Sequence, residues 1–294
     1  MTGDDSGASE ITVRRLRFDF PDDMDVVFIK GEPEESFITI GISLILPYVE
    51  PYLIRTMRAA RPLVEDAGLT AALDKFNAQE GHHYAQHARF NSVFRKRGFD
   101  GLEKLEQEVA ADYDRFTKTK SLRFNLAYAE GFEAFTTAFT LANIERDSAA
   151  AELEKWHPAA RDLFLWHALE ELEHRTVAFD VYQHVCGSFF LRFAVAAFAQ
   201  RHLMRFMSRA AQCLLGAHPK ILEELGGKAG HRARMRRINR HFAREILPRT
   251  LRTYSPAYTP HTIAMPRMME SFREEISAGS SDDGDRWAAR SRSN

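Results

Sequence analysis

Cysteine is nearly missing: Cys186 and Cys213 are the only two in 294 residues. A disulfide framework and a thiolate zinc cluster are thereby excluded, and a reducing, cytoplasmic location is the default expectation. Charge of one sign is also lacking. Forty Lys and Arg stand against 41 Asp and Glu, a net charge of -1. No chain-wide affinity for polyanions follows, so a dedicated nucleic-acid protein is not expected. No run of about 18 uncharged apolar residues occurs, which speaks against a standard membrane span. The opening MTGDDSGASE is acidic, has no apolar centre, and does not read as a secretory signal. Long β-branched runs are scarce and no solenoid-length repeat is present. What is there, 45% apolar and 28% charged residues, is an ordinary globular composition, long enough for one large domain or a domain with an extension.

Residues 1–10 and 278–294 are rich in Gly, Ser and charge and read as disordered tails. Residues 11–36, with breakers at Pro21 and Pro33, read as an extended N-terminal arm. From 37 onward apolar residues recur three and four apart. Helices are expected at about 37–66, 69–97, 100–117, 121–147, 150–155, 158–185, 188–215, 219–225, 228–247 and 262–277. The expected architecture is an all-α bundle over 37–187 with a C-terminal helical extension over 188–277. Pro47 and Pro51 each remove an amide donor, so the first helix is expected to kink or restart near Glu50. A restart would simply put Pro51 in a first helical turn; a kink would aim the Glu50 carboxylate inward among Leu46, Val49 and Leu53.

Glu-x-x-His occurs three times, at Glu80–His83, Glu154–His157 and Glu171–His174. One match alone carries no weight. Residues three apart on a helix share a face and can reach one metal ion. The 154–157 match runs into Pro158, which disfavours helical geometry at His157, and is set aside. The other two are each extended in register: Glu80, His83 and His87 on one helix, and His167, Glu171 and His174 on the other. The same faces carry Phe76, Phe90, Leu163, Val177 and Ala178, so these groups are expected to point into the core. Buried carboxylates need a cation. The bland alternative is a pair of charged stripes on solvated faces, or core ion pairs with arginines such as Arg89 and Arg175.

Four-helix carboxylate proteins that hold two metals draw one Glu from each of two helices and Glu-x-x-His from each of the other two. Glu50 precedes the first motif by one helix length. Between the motifs, AEGFEAFTTAFTLA offers Glu130 and Glu133. The order Glu50, Glu80/His83, Glu130 or Glu133, Glu171/His174 is therefore met. Hard oxygen and borderline nitrogen donors without sulfur suit iron or manganese, with zinc as the further candidate. Six or seven ligands imply two ions bridged by carboxylates.

GISLILPYVEPYL, FNAQEGHHYAQHARFN, the GFEAFTTA helix and WHALEELEHRTVAFDVY resemble the bacterial proteins described as predicted metal-dependent hydrolases, a family similar to the ferritin-like di-metal superfamily. The resemblance spans roughly residues 10–250 and implies a ferritin-like four-helix bundle. It favours Glu133 over Glu130, because members carry their glutamate just before an aromatic-Thr pair, here Phe135-Thr136. Where members often show Glu-His, this chain has Glu133-Ala134. The ligand set is also similar to that of di-iron aryl-amine N-oxygenases, which add a histidine one turn before their last Glu-x-x-His. His167 stands at that position, which implies a third histidine ligand and a site equipped for dioxygen. His87 then reads as a partner behind the ligands or an alternative ligand.

These features set the functional expectation: two iron ions activating dioxygen to oxidise a small, apolar or amine substrate, with an external electron donor. Metal-dependent hydrolysis through a metal-activated water is the alternative, and a non-catalytic storage bundle the third. Residues 228–252 hold Lys228 and eight arginines against Glu245, and with Ile238, Phe242 and Ile246 four apart they read as a helix docked on the bundle. The apolar stretch 188–215, interrupted by Arg192, Arg201, Arg205 and Arg209, reads as a core helix or homodimer face, with peripheral membrane contact as its alternative.

Overall fold

A computed structural model of the chain describes residues 10–96 and 100–279. The two expected tails fall, but for residues 10, 278 and 279, outside the described residues. In chain order the helices are α1 (Pro33–Ala60), α2 (Ala67–Arg95), α3 (Asp100–Thr119), α4 (Leu122–Ile144), α5 (Ala149–Leu153), α6 (Pro158–His174), α7 (Val177–Val185), α8 (Phe189–Ala217), α9 (Pro219–Glu224), α10 (Gly227–His241), α11 (Leu247–Thr253) and α12 (Arg267–Gly279). The architecture is all-α, a packed helical bundle, and an isolated antiparallel bridge joins Ile29 to Trp156.

Local chemistry sets the helix starts. Asp66 accepts from the Leu69 amide at 2.6 Å ahead of α2, and Ser121 accepts from Phe124 at 3.2 Å ahead of α4. Pro33 and Pro158 open α1 and α6, where a missing N–H costs nothing. Proline in that role, followed by Glu34 and Glu35, is why α1 begins at 33 and not at 37.

No new helix begins near Glu50. α1 runs as one helix through both prolines. Pro47 cannot donate to the carbonyl of Ser43, but Asn91 Nδ2 on α2 does so at 2.8 Å, so the gap in the ladder is filled from a neighbour. The single helix expected at 158–185 is, conversely, two. At the turn between them the buried Arg175 sets its guanidinium on the Leu172 carbonyl and, at 2.7 Å, on that of Ile263. After α10 a wide turn of π type, Phe242–Ile246, leads into Pro248 in the first turn of α11, so this helical stretch ends at 253.

One continuous core joins α1, α2, α4, α6 and α7 to α8 and α12. α1 packs against α2, α4 and α8. It is long and apolar enough to cross a membrane by length and composition, and 72% of its most apolar window is buried inside the bundle. α4 and α8 meet closely at Gly131, where a Cβ would lie 2.5 Å from the Cα of Ala196. α8 buries Val195, Ala199, Leu203 and Phe206 and leaves Phe190, Phe193 and Phe198 exposed. The basic helix docks on the start of α1 through ion pairs: Arg234 and His231 on the buried Glu34, and Arg237 on Glu32 and Glu35. Burial alone would raise the Glu34 carboxyl, but the hydrogen bonds from Arg234 and His231 prevail and lower it.

Candidate metal centre

The 3.6-residue period puts Glu80 and His83 on one face of α2, and His167, Glu171 and His174 on one face of α6. α1 brings Glu50 and α4 brings Glu133 to the same interior. All seven residues are buried; His167, at 9%, is the most exposed of them. Their donor atoms form two groups, each lying within 4.8 Å: Glu50, His83 and His167 in one, and Glu80, Glu133, Glu171 and His174 in the other. Glu171 Oε1 adjoins both groups, 2.9 Å from His167 Nε2, 3.6 Å from His174 Nε2 and 3.9 Å from His83 Nδ1. Glu80 Oε1 does the same, 3.3 Å from His174 Nε2 and 3.8 Å from His83 Nδ1.

The structure brings Glu133 into the centre and Glu130 elsewhere. Glu130 lies one turn back on α4 and accepts from Arg192 at 3.1 Å. His87 belongs to neither group. Its Nε2 lies 2.7 Å from His167 Nδ1, its Nδ1 lies 2.8 Å from Ser43 Oγ, and Ser43 Oγ donates to Asn91 Oδ1 at 2.6 Å. If His167 presents Nε2 to a metal, its Nδ1–H donates to His87, and every donor in this file then points the same way. His157 of the third Glu-x-x-His match precedes α6 with extended backbone, off any shared helical face with Glu154.

Burial is the dominant influence on the charges. It pushes Glu50 well above the usual carboxylate range, and the nearby Glu171 and Glu133 push it further. Glu80 is raised by burial and then by Glu50, Glu133 and Glu171. Burial and Glu171 raise Glu133 as well. Burial, followed by the neighbouring His167, holds His83 well below its ordinary value. The exception is an ion pair. Burial would raise Glu171 and lower His174, but their mutual attraction reverses both.

A metal fits this site on the structure's own terms. Both oxygens of Glu50, Glu80 and Glu133, together with His83 Nδ1 and His174 Nε2, are buried and make no hydrogen bond among the described residues. Leaving so many buried polar atoms unsatisfied would cost about 1–3 kcal/mol each. Every one is a ligand-type atom facing the same space, which an ordinary core ion-pair network would not produce.

The remaining imidazole nitrogens are all engaged. His83 Nε2 lies 3.1 Å from Glu170 Oε2, and His174 Nδ1 lies 2.9 Å from Gln79 Oε1. Glu170 also accepts from Trp166 Nε1 at 2.9 Å, and Gln79 donates to Glu173 at 3.1 Å. The cation that neutralises these outer carboxylates is Arg14 of the N-terminal arm, not Arg89 or Arg175: Arg89 bonds Gln86 and the exposed Asp19, and Arg175 bonds carbonyls. Sequence reasoning passed over Gln79, Glu170, Glu173 and Arg14. The acid-dense run Glu170, Glu171, Glu173 was the available signal, since three glutamates beside a core-facing motif demand a cation. Thr136 Oγ1 lies 2.8 Å from Glu171 Oε2 and 3.0 Å from the Glu133 carbonyl, touching the centre as well as its own helix.

Comparison with known proteins agrees with this chemistry. No curated protein and no solved structure matches the chain. The model of one family, described as predicted metal-dependent hydrolase, matches residues 12–264, a span that includes the arm, the whole donor set and the basic helix. With most of its length matched, the chain belongs to the predicted metal-dependent hydrolase family.

Proposed function

We propose that Glu50, Glu80, His83, Glu133, His167, Glu171 and His174 hold two metal ions, and that the chain is a dinuclear metal-dependent enzyme. The observation that carries this reading is the set of buried ligand atoms, without hydrogen bonds, converging in two adjoining groups. Glu80 and Glu171, which adjoin both groups, would be within reach of both ions, and Glu50 and Glu133 would each serve one. Bound there, two ions would supply either Lewis acidity toward a water or, as iron, electrons toward dioxygen.

The chain's own residues do the rest. Glu170, Gln79 and His87 hold the far nitrogens of His83, His174 and His167, which fixes each ring and its tautomer. Phe76 and Trp166 pack edge-on against His174 and His83, at 4.7 and 4.8 Å, and exclude water from the donors. Family membership supports hydrolysis as the reaction. A second reading, oxidation of a small apolar or amine substrate with dioxygen and an external electron donor, is favoured by the donor set. Four carboxylates and three imidazoles without thiolate suit iron or manganese, and four negative charges damp Lewis acidity while stabilising an oxidised metal.

The deciding experiment is metal content per chain after anaerobic purification and iron reconstitution, followed by an absorbance scan on exposure to oxygen. Two irons with a transient visible band establish the oxidative reading. Two zinc or manganese ions, inert to oxygen, establish the hydrolytic one and send the search to phosphate and acyl esters. Protein without stoichiometric metal overturns both.

A further inference from the structure

The N-terminal arm crosses α2 and α6 just behind the centre and places there one buried cation. Arg14 is 8% exposed. Its two terminal nitrogens grip Glu173 at 2.9 and 2.7 Å, and one of them also reaches Glu170 Oε1 at 3.3 Å. These two carboxylates lead to different imidazoles. Glu170 accepts from His83 Nε2 at 3.1 Å. Glu173 accepts from Gln79 Nε2 at 3.1 Å, and Gln79 Oε1 accepts from His174 Nδ1 at 2.9 Å. His83 lies in one donor group and His174 in the other.

We infer that Arg14 is a positioning residue for both halves of the metal centre, so that docking of the N-terminal arm and metal loading strengthen one another. The inference rests on the metal-centre reading above. A ligating imidazole must present a lone pair to the metal and an N–H on its far side, and an acceptor held rigidly there orients the ring and raises its basicity. A cation set between Glu170 and Glu173 offsets the mutual repulsion of two carboxylates held side by side in a dry interior. A guanidinium suits the task because its fork grips one carboxylate with two bonds and keeps a donor for the second; an ammonium would keep the charge and lose the fork.

The arm is also tied to the same groups through its backbone. The Thr12 amide donates to Glu173 Oε2 at 3.2 Å, and the Thr12 carbonyl accepts from Gln79 at 3.0 Å and from Arg14 at 3.1 Å. Farther along, Phe18 packs against Trp166 at 5.4 Å and its amide donates to Gln86 at 3.2 Å, which anchors the arm independently of Arg14. By linkage, the factor by which the docked arm tightens metal binding equals the factor by which metal tightens arm docking.

The test uses the full chain, with cobalt(II) as the metal, titrated anaerobically against a chelator. Wild type is compared with Arg14→Lys, Arg14→Ala, Gln79→Leu and Arg234→Ala, the last breaking a buried ion pair at the start of α1. Arg14→Ala is expected to weaken both sites by about 10–100-fold, and Arg14→Lys by less. Gln79→Leu, which severs the His174 branch and one backbone tie of the arm but leaves Arg14 on Glu170 and Glu173, is expected to weaken chiefly the site that holds His174, and Arg234→Ala neither. Hydrogen exchange at the Thr12 amide is expected to slow on cobalt addition in wild type and not in Arg14→Ala. Wild-type affinity in Arg14→Ala, or a loss in Arg234→Ala as large as in Arg14→Ala, overturns the inference. Should Arg14→Ala not fold, Gln79→Leu and Arg14→Lys decide it: unchanged affinity in both overturns it equally. A wild type that binds no stoichiometric cobalt instead defeats the metal-centre reading itself.

Discussion

Glu130 and Glu133 stand one turn apart on α4, equally buried, with opposite surroundings. Glu133 faces Glu80, Glu171 and His174 and makes no hydrogen bond; Glu130 faces Arg192. Burial pushes Glu130 up to about 7 even beside that guanidinium, a sign of how dry the site is. The two should therefore fail differently on truncation. Glu133→Ala is expected to lower bound metal below two per chain with little loss of stability, because it removes a group that costs free energy in the metal-free fold. Glu130→Ala is expected to keep both metals and lose about 3 kcal/mol of stability, because Arg192 is left buried without a counter-ion, against the carbonyls of Thr253 and Ser255 and the rings of Phe179, Phe189 and Tyr258. Metal analysis and urea unfolding on the two variants read this directly, and two metals retained in Glu133→Ala would exclude it as a ligand.

At the scale of elements, what matters is how closely helices approach. α4 carries Glu133 and is pressed against α8 at Gly131, with no room for a Cβ against the backbone of Ala196. Gly131→Ala replaces glycine within a helix, which by propensity alone would stabilise by up to about 1 kcal/mol. Packing reverses the sign: the added methyl must push α8 away, and a net loss of about 1–3 kcal/mol is expected in thermal unfolding. A stabilised Gly131→Ala would show that α8 does not press on α4 as described. The Gln200 amide bonds the Gly131 carbonyl at 3.3 Å across the same contact, so α8 is part of the wall that holds the centre.

For the molecule as a whole, metal and protons compete for one interior. In the metal-free protein Glu50, Glu80 and Glu133 are raised above their ordinary value of 4.5, Glu133 up to about 7, and His174 is raised as well. A raised group stabilises the fold fully below its unfolded pKa and loses that contribution as pH rises through its folded pKa. For these carboxylates the loss begins near pH 4.5 and, for Glu133, passes through about 7. Metal binding requires the deprotonated forms, so loading releases protons and tightens with pH. The rise in Tm on adding cobalt or iron is accordingly expected to be larger at pH 8 than at pH 6, by about 1.4 kcal/mol of added stability for each tenfold gain in affinity. Calorimetry at the two pH values measures it; equal rises would mean that loading displaces no protons.

The helical class and the sites of most breaks were legible in the chain itself, because the 3.6-residue period and the helix-opening Pro158 act over a few residues. The spacing of Glu80 with His83, and of His167 with Glu171 and His174, was legible for the same reason: one helix face is a local property. Three things were not. How the carbonyl left open by Pro47 is satisfied depended on Asn91, a side chain from the next helix. That 158–185 is two helices, turning at Arg175 and Thr176, was marked by no proline or glycine inside the stretch. The choice of Arg14 as the cation behind the centre depended on an arm some 160 residues away in sequence, held at Glu173 by the fold alone. Short-range geometry is written in the order of the residues; which buried charge meets which partner is decided only when the helices pack, because the cost of an unpaired group in a dry interior is set by whatever tertiary neighbour arrives there.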